Sequence, residues 1–302
     1  MAGIPTFATP PGFLGLPPRA DRDAAFCVAG VPFDLGTTNR GGQRDGPAAI
    51  RRASRMLVDG AHPLHRVEPA RLDVADIGDF AIALGDIPES LALIERQAAE
   101  CRHLVALGGD HGISLPLLRA ARARVGAKLA LLHFDAHVDT WALNFGQAYR
   151  HGSVFFHAVE EGLIDPRRSI QIGIRSPVDA ETWDWTLAQG FTVVPAQEAL
   201  ESTPAALAAR VAALVGETPA YLSFDVDCLD PAFAPGTGTP EVGGLATWQA
   251  QGILRRLGGL SFVGMDVVEV SPAYDLAEIT ALAAATMAWE YLALLGAATQ
   301  PG

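Results

Sequence analysis

The apolar run Leu131-Leu132-His133-Phe134 ends in Asp135, His137 and Asp139 at alternate positions. In an extended backbone, residues i, i+2 and i+4 project to one side, so these three side chains point into one pocket at a strand end. Two carboxylates and an imidazole suit a borderline-to-hard divalent cation. Other segments are built the same way. Asp110 and His111 lie in the Gly-rich turn GGDHG after another apolar run, Asp225 and Asp227 close a third, and Asp266 and Glu269 lie in a fourth.

Each segment alone has a bland reading. A His in a Gly-rich turn is usually a hydrogen-bonded loop residue, and Asp230 before Pro231 reads as turn chemistry. Together they are harder to dismiss. Asp135, Asp139, Asp225 and Asp227 place four carboxylates near one sheet edge, and like charges a few Å apart cannot all stay ionised. Protons or cations must compensate, and two divalent ions would neutralise all four. With His111 and His137 the set suffices for two ions if some carboxylates bridge. Bridged metals about 3.5–4 Å apart are an arrangement that activates water for hydrolysis. A mainly carboxylate set favours Mn²⁺ or a similar ion over a thiolate-bound structural Zn²⁺.

The elements that position these residues alternate along the chain. Strands are expected at 24–33, 74–79, 103–107, 128–134, 169–174, 191–194, 220–225 and 261–270. Helices are expected at 47–57, 87–101, 114–124, 180–189, 203–215, 246–257 and 277–296, the first opened by Pro47 at a position proline favours. Such alternation indicates a parallel sheet covered on both faces. In these sheets ligands bind outside the carboxyl ends of the strands, where the unusual residues fall. No linker or repeat interrupts the pattern, so 1–302 reads as one domain, with Pro-rich residues 1–23 as an irregular arm.

Composition sets outer bounds. The chain has 302 residues, 49% of them hydrophobic, enough for one well-buried core. A formal net charge of −12 argues against nucleic acid or an anionic membrane as partner and is compatible with a cationic substrate. Three scattered cysteines, Cys27, Cys101 and Cys228, fit a reducing compartment. No signal peptide is evident and no apolar stretch reads as a membrane span. The expectation is a cytoplasmic protein. The sequence reads against a nucleotide-binding oxidoreductase, because neither GxGxxG after the first strand nor a GK[ST] loop after Gly108-Gly109 is present.

The blocks GGDHG, DAHVD, SFDVDCLDPAFAPGTGTPEVGGL and MDVVEVSPAYD resemble the signature blocks of the ureohydrolase (arginase/agmatinase) family, over nearly the whole chain. The resemblance implies a three-layer αβα sandwich around a mainly parallel sheet. It also implies two Mn²⁺ per subunit, Ni²⁺ or Co²⁺ being the alternatives, and hydrolysis of a guanidino compound to urea and an amine. Carried over by motif, His111, Asp135, Asp139 and Asp225 hold one ion; His137, Asp135, Asp225 and Asp227 hold the other. Glu269 matches the carboxylate that orients the guanidinium, and His151 the histidine that passes a proton to the departing amine. His157 is a rival for that role off the motif, His133 and His103 are expected to be structural, and His62 and His65 carry no assigned role. Homotrimers or homohexamers are the implied assemblies.

Within the family, the arginine-reading positions are occupied here by Trp141 and, approximately, Gln147, which reads against arginase. The Gly30-Val31-Pro32-Phe33-Asp34 block and the segment 270–282 look most like agmatinases, which cleave agmatine to putrescine and urea. Guanidino-acid hydrolases such as guanidinobutyrase share much of the pattern, and Asn39, Arg40 and Arg150 are placed to meet a carboxylate at the pocket mouth. A non-catalytic metal-binding scaffold of the same fold is the reading from a different class.

Overall fold

A computed structural model describes residues 11–298. Eight strands form one sheet: β1 (Phe26–Val31), β2 (Val74–Asp79), β3 (Leu104–Gly108), β4 (Ala130–Phe134), β5 (Ile170–Ile174), β6 (Thr192–Pro195), β7 (Ala220–Asp225) and β8 (Phe262–Val268). Their order is β2-β1-β3-β8-β7-β4-β5-β6, and every neighbouring pair is parallel. Nine helices are described: α1 (Gly46–Ser54), α2 (Ile87–Ala99), α3 (Ser114–Val125), α4 (Val154–Glu160), α5 (Ala180–Gln189), α6 (Ala196–Glu201), α7 (Pro204–Val215), α8 (Thr247–Leu254) and α9 (Ile279–Ala298).

The strand sequences explain the layering. Alternate residues of one strand enter separate cores: Val105 and Leu107 of β3 join one cluster, Leu104 and Ala106 the other. The first cluster draws on α1, α7, α8 and α9, the second on α2, α3 and α4. Both faces of the sheet are therefore covered, giving the expected three layers. Several helices start where a side chain accepts an otherwise unpaired N–H: Asp86 from Glu89 at 3.0 Å, and Asp179 from Thr182 at 2.8 Å.

Some expectations need adjustment. Helices α4 and α6 fall in stretches left unassigned by the sequence pattern; VFFHAVE and AQEALE are too short to establish a helical period. The eighth strand stops at Val268 because Glu269 turns to φ +68°. Residues 1–10 of the expected arm lie outside the described residues, while its remainder folds onto its own domain. Phe13 and Leu14 are buried, their N–H groups donating to Asp76 at 2.7 Å and Ser54 at 2.7 Å.

The expectation that no apolar stretch could span a bilayer is corrected by α9. This helix is 20 residues long with a mean hydropathy of 1.4 and meets that length and composition. It is apolar because most of it is buried inside the protein, so its polar face is nearly absent. Its one buried acid, Glu290, is met by Arg255 Nε at 3.0 Å and by His62 Nε2 at 2.8 Å, which gives His62 a structural role.

Candidate metal centre

Four adjacent central strands, β3, β8, β7 and β4, deliver the polar segments to one edge. His111 follows β3, Asp135, His137 and Asp139 follow β4, Asp225 ends β7 with Asp227 in the turn after it, and Glu269 follows β8. The strand order changes direction among these strands, and the crevice at their carboxyl ends is where open parallel sheets bind ligands. Gly109 is needed for the first turn: a Cβ there would lie 1.8 Å from the Phe33 carbonyl oxygen.

His111 Nδ1 lies 3.1 Å from Asp135 Oδ2, 3.0 Å from Asp139 Oδ2 and 3.2 Å from Asp225 Oδ2. It is fully buried, yet none of these contacts has hydrogen-bond geometry. One proton could not serve three carboxylates in any case. Ligands at about 2.1 Å from a shared ion, roughly perpendicular to one another, lie about 3 Å apart, so these separations fit a coordination shell. A second group adjoins the first, with His137 Nδ1 3.2 Å from Asp135 Oδ1 and 3.1 Å from Asp227 Oδ2. Asp135 thus presents one oxygen to each histidine. Main-chain amides hold the carboxylates: His137 N–H to Asp135 at 2.6 Å, Ala136 N–H to Asp227 at 3.0 Å, and Asp227 N–H to Asp225 at 2.8 Å.

The protonation pattern supports the same fit. Burial raises the Asp225 carboxyl well above the usual carboxylate range, and neighbouring Asp227 and Asp135 push it further. Burial works to lower the His111 pKa, but the surrounding carboxylates outweigh it and raise it well above the usual value. The cluster without an ion has to recruit protons, which bound cations would displace.

Glu269 and His151 lie beside this cluster. Glu269, 1% exposed, accepts from the His111 N–H at 2.9 Å and the Gln43 amide at 2.9 Å, and faces His151 Nδ1 at 3.2 Å. His151 Nε2 meets the Thr38 hydroxyl at 2.7 Å. Burial lowers the His151 pKa, but Glu269 raises it more, to about 9. A cavity of about 760 Å³ opens above, lined by His137, Asp139, His151, Asp225 and Asp227 among others, with His111, Asp135 and Glu269 beneath it. All eight residues singled out by sequence are therefore brought together. His157 is not among the described residues that line the cavity; its ring packs on Tyr149 at 4.7 Å.

With this geometry established, the similarity to known proteins is informative. The arginase family matches residues 24–293. The chain belongs to the arginase family. It is 49% identical to an agmatinase of Edwardsiella ictaluri and 47% identical to one of Cronobacter sakazakii, each over 93% of this chain and 92% of the relative. Among solved structures it resembles a hypothetical agmatinase from Burkholderia thailandensis, at 43% identity and a TM-score of 0.90 over 97% of this chain and 92% of that one. It also resembles the proclavaminate amidino hydrolase of Streptomyces clavuligerus, at 36% identity and a TM-score of 0.93 over 98% and 100%.

This arginase-family site uses residues that motif reasoning passed over. His133, expected to be structural, has Nε2 2.7 Å from Asp135 Oδ2 and so supports a metal-cluster carboxylate. Its Nδ1 lies 3.2 Å from the Gln171 amide nitrogen, which also donates to the Val138 carbonyl at 2.7 Å. Nδ1 therefore accepts and Nε2 carries the proton, so His133 orients Asp135 and does not ligate, although its atoms cluster with those of His111 and Asp135. Likewise Ser223 donates to Asp266 at 2.7 Å and so accepts from His111 Nε2 at 2.8 Å, which reserves Nδ1 for an ion that displaces its proton. Asp266 is completed by the hydroxyls of Ser114 at 2.8 Å and Tyr221 at 2.9 Å.

At the cavity rim, Asn144 and Gln147 exchange backbone hydrogen bonds at 2.9 and 3.1 Å around Phe145-Gly146, both with positive φ. This tight turn places Leu143 and Phe145 at the cavity rim. Arg150, expected at the mouth, is absent from the described lining and donates to the Thr37 carbonyl at 3.1 Å. Arg40 does line the cavity, stacked on the Tyr274 ring at 4.7 Å.

Proposed function

We propose that this enzyme hydrolyses agmatine to putrescine and urea, with two divalent ions held by His111, Asp135, His137, Asp139, Asp225 and Asp227. The observation that carries the reading is the buried His111 Nδ1 facing three carboxylates beside Glu269. The 47–49% identity to agmatinases supports the substrate. The carboxylate-rich set favours Mn²⁺. Ions bound there would make a water nucleophilic at neutral pH.

The remaining chemistry falls to side chains. Glu269 pairs with the planar guanidinium through charge-assisted hydrogen bonds and fixes its orientation. Water adds to the guanidinium carbon, the bond from that carbon to the alkyl-bearing nitrogen breaks, and that nitrogen leaves needing a proton. His151 holds a proton at Nδ1 towards Glu269, and its Nε2 is fixed by Thr38. It is placed to deliver that proton and be replenished through the open cavity.

Urea release should be measured over agmatine, arginine, 4-guanidinobutyrate, 3-guanidinopropionate and guanidine, with Mn²⁺, Ni²⁺ or Co²⁺ supplied in turn. Agmatine with Mn²⁺ is expected to give the highest rate, with about two ions bound per chain. An intact protein that binds no metal and releases no urea would reduce it to a scaffold. Preference for 4-guanidinobutyrate is the second reading, favoured by Arg40 at the mouth. Replacing Ser223 with Ala removes the acceptor for His111 Nε2–H and is expected to weaken metal binding about 10- to 100-fold. Calorimetric titration of the chelator-treated protein with Mn²⁺ checks this.

Three buried free cysteines support a cytoplasmic enzyme. Assembly into homotrimers or homohexamers is carried by the family resemblance alone. Putrescine as product would give the enzyme a part in polyamine synthesis.

A further inference from the structure

The cavity mouth carries a carboxylate with no role in the chemistry above. Among the described lining residues, Asp139, Asp225 and Asp227 belong to the metal cluster, and Glu241 is the remaining acid. Glu241 lies two residues beyond Thr239, whose hydroxyl is 3.3 Å from Asp227 Oδ2. Two residues of chain span at most about 7 Å, so Glu241 stays close to the metal end of the cavity. A tetramethylene chain with a nitrogen at each end spans a similar distance, about 6–7 Å from bonds of about 1.5 Å.

This wall is held rigidly to the cavity floor by Arg175. Its Nη2 donates to the carbonyls of Asp227 at 2.7 Å, Leu229 at 3.2 Å and Glu241 at 2.7 Å, and its Nε to Val242 at 3.1 Å. One guanidinium thus ties the turn after β7 to the segment that carries Glu241. The Glu241 side chain itself is oriented by the Ser176 hydroxyl, which donates to Oε1 at 3.1 Å. Among the described residues, that hydroxyl is its hydrogen-bond partner and no cation pairs with it. The described lining is apolar in part, with Trp141, Leu143, Phe145, Pro177 and Pro240. Such walls suit methylenes, and a partly buried acid beside them suits a second positive charge.

We propose that Glu241 determines specificity by receiving the ammonium end of the substrate, so that the cavity selects aliphatic guanidines carrying a distal cation. This rests on the guanidine-hydrolysing reading of the site. Arg40 lines the same mouth, but its guanidinium is stacked on Tyr274. Neither Arg175 nor Ser176 depends on the charge of Glu241: the first binds its carbonyl, and a glutamine would still accept from the second.

The test compares agmatine, n-butylguanidine (the same chain without the ammonium) and 4-guanidinobutyrate in the metal-loaded wild type and Glu241→Gln. Wild type is expected to prefer agmatine to n-butylguanidine. In Glu241→Gln that preference, as a ratio of kcat/KM, is expected to fall about tenfold, with the change in KM for agmatine and not in kcat. Glu241→Asp should recover part of it. A variant that keeps the wild-type preference overturns the assignment while leaving agmatine hydrolysis intact. A wild type that prefers 4-guanidinobutyrate to n-butylguanidine also overturns it and transfers the reading of the tail to Arg40. If the wild type releases urea from none of them, the reading of the whole site fails, and the assignment with it.

Discussion

Asp225→Asn is expected to strip the metal from the protein and reduce urea release to background, while making the metal-free fold more resistant to heat. The two effects share one cause. Asp225 Oδ2 faces His111 Nδ1 at 3.2 Å, and its other oxygen accepts the Asp227 N–H at 2.8 Å. An amide can keep the second contact but cannot supply the charge that bound cations require. Without an ion that charge is a liability: burial first, then Asp227 and Asp135, raises the carboxyl well above its unfolded value. A carboxyl whose folded pKa is raised costs stability above its unfolded pKa of about 3.9, and the cost grows as pH rises through the folded value. The amide removes that cost.

Melting curves should therefore cross over. With chelator near pH 7 the variant melts above the wild type, and the gap closes as pH falls towards about 4. With Mn²⁺ the order inverts, because only the wild type gains stability from binding. A variant that still holds two ions and turns over would sink the ligand assignment.

The sequence revealed the metal cluster more readily than its supports, for physical reasons. Alternation of side chains at a strand end is a geometric signal, so Asp135, His137 and Asp139 declare a shared direction without any tertiary knowledge. Neighbouring strands must then juxtapose such ends, and the β3-β8-β7-β4 order does so. His133 and Ser223 carry no comparable signal, and Asp266 stands out only as a polar residue of the fourth segment, without a role. They lie inside strands, where a polar residue indicates only that some partner exists, and their partners are residues far apart in sequence: Gln171, His111 and Tyr221. Gln43 and Thr38 were hidden differently, in a loop without periodicity that packs on Glu269 and His151 only in the folded chain. Arg150 adjoins His151 in sequence, but its guanidinium is held by the Thr37 carbonyl and is absent from the described lining. Side-chain direction in irregular backbone is set by such contacts, which is why the segment 140–151 was the least legible part of the site.

The second large effect is expected at Glu269. Glu269→Gln should retain both ions while lowering kcat/KM for agmatine by about 10²- to 10⁴-fold, in line with the roughly 3–5 kcal/mol that breaking a buried charge pair costs. The carboxylate contacts the His111 main chain, Gln43 and His151, not the ligand atoms, so the ions lose no ligand. Binding suffers twice. The guanidinium loses its counter-charge, and an amide nitrogen replaces one oxygen where Gln43 and His151 present donors. A second signature separates this role from a general loss of structure. Glu269 holds the His151 pKa at about 9, above its unfolded value of about 6.5. A raised histidine pKa contributes stability that is fully present below the unfolded value and is lost as pH rises through the folded one. In the metal-free protein the wild type should therefore exceed Glu269→Gln in stability most clearly at about pH 6, with that contribution gone by about pH 10. Denaturant titrations at both pH values measure the difference, and NMR of the His151 ring should show its titration moving down in the variant. Loss of metal in Glu269→Gln, or an unchanged His151 titration, would separate Glu269 from both roles.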